Sequence, residues 1–217
     1  MKTNAELYQD IIDKLEFEPS LEASEIAVRI EDDIVTLSGT VGNFWEKHAA
    51  ERAVKNVSGV KGIANDLQVK LRSYWEKSDT DIAQAVVNAL KWNVVVPKDC
   101  IQVSVENGAV KLTGSVAWNF QREAAEKAVR GLLGVKSLNN QITLQTHVEP
   151  KDVKDRINRE FHRHAQLDAD KVQVEVAGGK VKLKGNVKSW AEIGEAKHAA
   201  WSVPGVTAVD SQLLIQY

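Results

Sequence analysis

The chain has 217 residues, 43% hydrophobic and 27% charged, a balance ordinary for a globular protein and a length that suits one medium domain or several small ones. A formal net charge of −2 offers no basic excess of the kind nucleic-acid binding requires, and Cys100, the single cysteine, excludes an intramolecular disulfide. The opening MKTNAELYQDIIDKL places Glu6, Asp10 and Asp13 where a secretory signal would be apolar, and no later run is long enough to span a bilayer. The expected location is therefore cytoplasmic, or periplasmic if an export signal has been removed.

Leu7, Ile11 and Leu15, spaced by four, predict a helix with one apolar face. Ile26, Val28 and Ile30 alternate as a half-buried strand. After the turn EDD, a second strand, VTLSGTV, sends Val35, Leu37 and Val41 inward. Ala49, Ala53 and Val57 predict a second helix whose small residues lie close to the sheet, and Gly59 ends it as a residue free to be left-handed. Ile63, Leu67 and Val69 form a last strand, and RSYWEKS, Arg72 to Ser78, is a short linker. The order then repeats. Ile82, Val86 and Leu90 give a helix, Ile101, Val103 and Val105 a strand, and Asn107-Gly108 a hairpin turn. VKLTGSV is the next strand, Ala124, Ala128 and Leu132 mark a helix, and Leu138, Ile142 and Leu144 a last strand. After a linker from His147 to Pro150 come Val153, Ile157 and Phe161, then Val172, Val174 and Val176, Gly178-Gly179, VKLKGNV, Glu195, Ala199 and Val203, and Val209, Leu213 and Ile215.

One phrase thus returns three times. Its glycines are Gly39, Gly114 and Gly185, and twenty residues beyond each stand Gly59, Gly134 and Gly205, every one followed by valine. A spacing of 75 and then 71 residues exceeds the common solenoid periods and fits three tandem copies of one small domain. The predicted domains are 1–72, 78–146 and 149–217. The predicted class is α+β, each domain an αββαβ unit with a small three-stranded mixed sheet and two helices on one face. Polar outward positions, Thr36 and Ser38, Lys111 and Thr113, Lys182 and Lys184, leave the other face wet. A unit of about 65 residues is near the lower limit for folding alone, so contacts between copies would help. All six glycines read as structural. The glycine of the phrase permits a bend or a close helix approach at the strand's exit, and GTVGN matches no phosphate loop.

No catalytic residue, metal site or cofactor is expected. His48, His147, His162, His164 and His198 stand in no nucleophile–base frame, and the pair in HRH lacks further ligands at zinc spacing. Cys100 precedes a strand with no histidine near it in sequence. The six tryptophans are more informative. Phe44, Trp45, Trp118, Phe120 and Trp190 fall between the second strand and second helix of their copies, and Phe17 and Trp92 are equivalent positions at the end of the first helix. Such rings either close the open ends of small cores or form a lipid- or partner-facing rim. Charge is uneven as well. Residues 7–71 carry seven Lys/Arg and twelve Asp/Glu, whereas the later copies are nearly balanced. Lys180, Lys182 and Lys184 alternate along one strand with Lys188 beyond, forming either a solvated face or a patch for anionic headgroups.

A strand ending L-x-G-x-V, an Ala-rich helix, then G-V and a strand with Asn or Asp near its start resemble the BON domain, a family named for bacterial osmotically inducible and nodulation proteins. The resemblance covers nearly the whole chain, as in bacterial stress proteins with three BON copies. It implies a non-enzymatic module that associates with anionic phospholipid surfaces and protects the envelope during osmotic or other stress. On that reading the contact residues are Trp118, Phe120, Trp190, Lys180, Lys182, Lys184 and Lys188. The alternative is a cytoplasmic sensor of potassium or calcium, or a protein scaffold, motivated by Glu31, Asp32 and Asp33 at the first hairpin, although these do not match a twelve-residue calcium loop.

Overall fold

A computed structural model describes residues 3–145, 152–163 and 171–216. His147, His164 and the linker at 147–150 lie outside the described residues. The elements run α1 (Asn4–Glu16), β1 (Ile26–Glu31), β2 (Ile34–Val41), α2 (Phe44–Lys55), β3 (Gly62–Asn65), β4 (Gln68–Val69), α3 (Asp79–Trp92), β5 (Ile101–Glu106), β6 (Ala109–Val116), α4 (Asn119–Arg130), β7 (Ser137–Leu144), α5 (Val153–Arg163), β8 (Val172–Ala177), β9 (Lys180–Val187), α6 (Trp190–Trp201) and β10 (Ala208–Ile215). The fold is α+β, with three small sheets. Two compact units result, one of Met1–Gly114 with Gln121–Ile142, the other of Ser115–Phe120 with Thr143–Tyr217.

Each sheet is a hairpin plus one strand brought back by a helix. β1 pairs antiparallel with β2, and β8 with β9, while β10 runs parallel to β9 and both β3 and β4 run parallel to β2. β5, β6 and β7 follow the same order. The connection needs no longer crossover because the second helix supplies it. All three hairpin turns have two residues with positive φ, as the twist of paired strands demands. Asn107-Gly108 and Gly178-Gly179 do this at little cost, but the first copy uses Asp32 (φ 49°) and Asp33 (φ 63°). Helices begin on side-chain caps. Thr3 and Glu6 cap each other at α1, and the Asn43, Ser78 and Ser189 side chains accept amides at α2, α3 and α6.

Cores follow the predicted periodicities. Leu7, Ile11 and Leu15 lie under Val35 and Leu37 in the first copy, and Val153, Ile157 and Phe161 under Val181 and Leu183 in the third. The second helix departs from expectation in detail. Ala49, Ala53 and Val57 of the first copy and Ala199 and Val203 of the third are buried as predicted, with Ala50 and Val54, Ala125 and Val129, and Ala196 and Ala200 buried beside that stripe, whereas Ala124, Ala128, Leu132 and Glu195 are only half-buried. The apolar stripe is two residues wide, and the predicted spacing traced its edge. In the first copy the last strand is also interrupted. β3 stops at Asn65 and β4 resumes at Gln68, although the Asp66 amide still donates to Leu37 O at 2.8 Å.

The glycine of the repeated phrase faces backbone, not a helix. A Cβ on Gly39, Gly114 or Gly185 would lie 2.1, 2.1 or 1.9 Å from the carbonyl oxygen of Glu25, Cys100 or Lys171, the residue just before the hairpin's first strand, and all three glycines have φ between 111° and 132°. The second glycine is left-handed as expected, but it does not end the helix. α2 and α6 close on Asn56 and Ser202 in right-handed conformation, and Gly59 and Gly205 stand three residues later in the turn to the last strand. Replacing Gly114 with Ala should destabilise its hairpin by more than about 2 kcal/mol, read from hydrogen exchange of β5 and β6 amides. Gly131→Ala, where an added Cβ meets nothing within 4 Å, should leave those amides unchanged.

Candidate functional site

α3 is held at its start by Ser78, whose Oγ accepts the Asp81 amide at 3.1 Å, and along its length by Ile82, Val86 and Leu90, all buried. Trp92 lies two residues past Leu90, about 200° around the helix from the buried stripe, and is 87% exposed. Beyond it the chain reads Asn93-Val94-Val95-Val96. The Asn93 side chain accepts the Val95 amide at 3.0 Å and its carbonyl accepts the Val96 amide at 3.2 Å. This turn sends Val96 into the core and leaves Val94 96% exposed and Val95 40% exposed. Lys91 and Lys98, both exposed, flank the three apolar side chains. The equivalent position holds Phe17 in the first copy, 80% exposed with Lys14 Nζ 5.8 Å from its ring, and Arg163 in the third.

The residues singled out from the sequence lie along β9 and around the starts of α4 and α6. Lys180 and Lys188 are exposed, whereas Lys182 and Lys184 are half-buried on the sheet. Lys184 Nζ donates to Glu175 Oε1 at 2.7 Å, and Lys182 stands opposite Glu175 on one side and Asp210 on the other. Directly opposed residues share a face, so two carboxylates temper the lysine stripe. The hydrogen bond from Lys184, with the charges of Lys184, Lys182 and Lys154, holds the Glu175 carboxyl below its usual range. Trp118 and Phe120 are brought together, rings stacked 6.3 Å apart, with Phe120 55% exposed and Trp118 half-buried. Trp190 is the half-buried first residue of α6. At the first hairpin Arg29 pairs with Glu31, and Lys61 with Asp33 at 2.7 Å, so these acids do not form an open cation cage. Cys100 is exposed, and among the described residues no group of three His, Cys, Asp or Glu could hold a metal ion.

Two copies share a polar clasp that the sequence reading missed. Asn65 Nδ2 donates to Lys47 O and Glu51 Oε2, and Asn65 Oδ1 accepts the Leu67 amide. Asn140 repeats all three bonds, to Arg122 O, Glu126 Oε2 and the Ile142 amide. Glu51 in turn receives Lys55 Nζ at 2.5 Å, and Glu126 pairs with Arg130. Burial works to raise the Glu51 carboxyl, but the bond and charge of Lys55 and the bond from Asn65 outweigh it and hold it below the usual range. The third copy has Lys197, Trp201 and Ser211 at these positions. Aligning the three copies on their glycines and looking for a shared Asn–Glu–cation set would have revealed the clasp.

His48, between the two clasps, stacks edge-on against Phe44 at 4.6 Å. Burial first, then the charge of Arg130, hold its imidazole below the ordinary histidine range, against Glu51 and Glu126. A depressed value means that the folded state favours neutral His48, so this contribution is intact above about pH 6.5 and lost as pH falls through the folded value. His48→Gln should flatten the acid-side fall of the melting temperature; an unchanged slope would assign that fall to other groups. Asn140→Ala, which leaves the Ile142 amide unpaired, should cost about 1–3 kcal/mol, measured by exchange of α4 and β7 amides.

The BON domain model matches residues 3–70, 78–146 and 151–217. A curated relative, osmotically-inducible protein Y of Escherichia coli (strain K12), is 27% identical over 129 residues, which cover 57% of this chain and 63% of the relative. The match thus spans less than two thirds of that protein. Among solved structures, CdsD, a structural protein of the Type III secretion system of Chlamydia trachomatis, aligns with 97% of this chain and 92% of its own at 16% identity and a TM-score of 0.27. The periplasmic domain of the T3SS inner membrane protein PrgH from S.typhimurium aligns over 88% and 94% at 11% identity and a TM-score of 0.23. Scores that low carry no argument. The family match rests instead on three segments that each contain the repeated phrase, its glycine and the helix that follows, and the chain belongs to the BON domain family.

Proposed function

We propose that the chain is a non-enzymatic, stress-associated binding module that docks on anionic phospholipid surfaces, and that the end of α3 is its principal contact. The observation that carries this reading is the exposure of Trp92 and Val94 between Lys91 and Lys98. An indole at the apolar–polar boundary with cations beside it suits the headgroup layer. Each lysine near such a surface adds about 1 kcal/mol. Among the described residues no helix is long and apolar enough to cross a membrane, so this contact is a surface one. The kinship with an osmotically-inducible protein supports osmotic stress as the setting. The stripe Lys180, Lys182, Lys184 and Lys188, with Phe120, Trp118 and Trp190, is a second and weaker candidate contact, because Glu175 and Asp210 share the strand face.

Co-sedimentation with phosphatidylglycerol and phosphatidylcholine vesicles tests the proposal. The intact chain should bind the anionic vesicles. Trp92→Ala with Val94→Ala should weaken binding about tenfold or more at low and high salt, since burying each such side chain is worth about 1.5–3 kcal/mol. Exchanging Lys180, Lys182 and Lys184 for Glu should matter only at low salt, where exposed charges are unscreened. Unchanged binding of the Trp92/Val94 variant would sink the assignment, and no vesicle binding by the intact chain would leave protein scaffolding as the reading.

A further inference from the structure

Within the unit of residues 1–114 and 121–142, the two polar clasps face a common cavity of about 380 Å³ between α2 and α4. Its charged lining has three cations, Arg52, Lys55 and Arg130, against two carboxylates, Glu51 and Glu126. Both carboxylates are engaged within their own copies, Glu51 with Lys55 and Asn65, Glu126 with Arg130 and Asn140. Two donors are left over. The Arg52 guanidinium lies 5.9 Å from the Trp45 ring and, among the described residues, forms no ion pair; it also acts on Glu18, which does not line the cavity. Arg130 Nε is buried and has no hydrogen-bond partner. A guanidinium cannot shed its proton, so a buried N–H without an acceptor is an uncompensated desolvation cost that a bound oxygen would relieve. Its planar fork matches tetrahedral oxyanions.

We propose that this cavity binds a small oxyanion of the phosphate class, held by Arg130 and Arg52, with His48 as a third, protonation-dependent donor. The site belongs to the pairing of the first two copies. The third copy replaces the glutamate with Lys197 and the helix-end cation with Trp201, so it has no counterpart of the Glu126–Arg130 pair. His48 is faced by Glu51 and Lys55 from its own helix and by Glu126 and Arg130 from α4. A dianion beside it favours the imidazolium, so affinity rises as pH falls through the histidine range. The proposal uses none of the α3 residues and stands or falls independently of the lipid reading.

The test is side-chain NMR of the full chain, following arginine Nε–H resonances in titrations with sodium phosphate, sodium sulfate and, at matched ionic strength, sodium chloride. The Arg130 resonance, assigned by its loss in Arg130→Lys, should shift saturably with phosphate and sulfate and not with chloride. Sulfate, which keeps its charge, should bind more tightly at lower pH, and His48→Gln should remove that dependence. Arg130→Lys and Arg52→Gln should each weaken binding about tenfold or more. Arg52 is exposed, so its variant reports on the site even if Arg130 variants fold poorly. Glycerol 3-phosphate and phosphatidylglycerol vesicles separate the sources. Binding of the former, with vesicle binding unaltered in Arg52→Gln, assigns a soluble phosphate; loss of both together assigns the lipid headgroup. No saturable shift with phosphate, or a shift that survives both arginine substitutions, overturns the proposal.

Discussion

Each of the three sheets depends on one close contact between backbones. Where the second strand leaves the hairpin, its glycine sits against the carbonyl of the residue just before the first strand, at a distance no Cβ could occupy. The contact sets where the hairpin's open end closes, and therefore the register that puts Val35, Leu37 and Val41 and their counterparts on the buried face. A slip of one residue would turn that face to water. The repeated phrase is thus a steric requirement written three times.

On this common frame the copies have diverged where the frame does not constrain them. The end of the first helix carries Phe17, Trp92 or Arg163. All three positions lie off the buried stripe, so packing does not choose among them. The outer side of the second helix is a clasp of Asn, Glu and a cation in two copies and is altered in the third. Repetition of a small domain supplies similar cores while leaving separate surfaces free to take separate tasks, an apolar rim in one place and a charged cavity in another.

Charge illustrates why these surfaces need coordinates. Along β9 the lysines alternate and read as a basic stripe, but the neighbouring strands bring Glu175 and Asp210 to face Lys182. At the first hairpin, three consecutive acids read as an anionic cluster, and Arg29 and Lys61 answer two of them. Arg29 stands two residues from Glu31 on the same strand, but Lys61, Glu175 and Asp210 come from other elements, so the local sequence overstates the net field.

The sequence by itself determined the repeat, the α+β class, the order of elements and most of the core, because these follow from periodicities of two and of about four residues that local geometry imposes. It also made Trp92 visible as an aromatic at a helix end. Tertiary structure alone decided that Trp92 and Val94 emerge while Val96 is buried, since a run of three valines carries no period. It placed the glycine against a carbonyl fourteen residues earlier, extended the buried stripe of the second helix by one residue, and joined Asn65 to Glu51 and Asn140 to Glu126. Each of these is a contact between elements distant along the chain, and pattern within a single element does not encode the position of its neighbour.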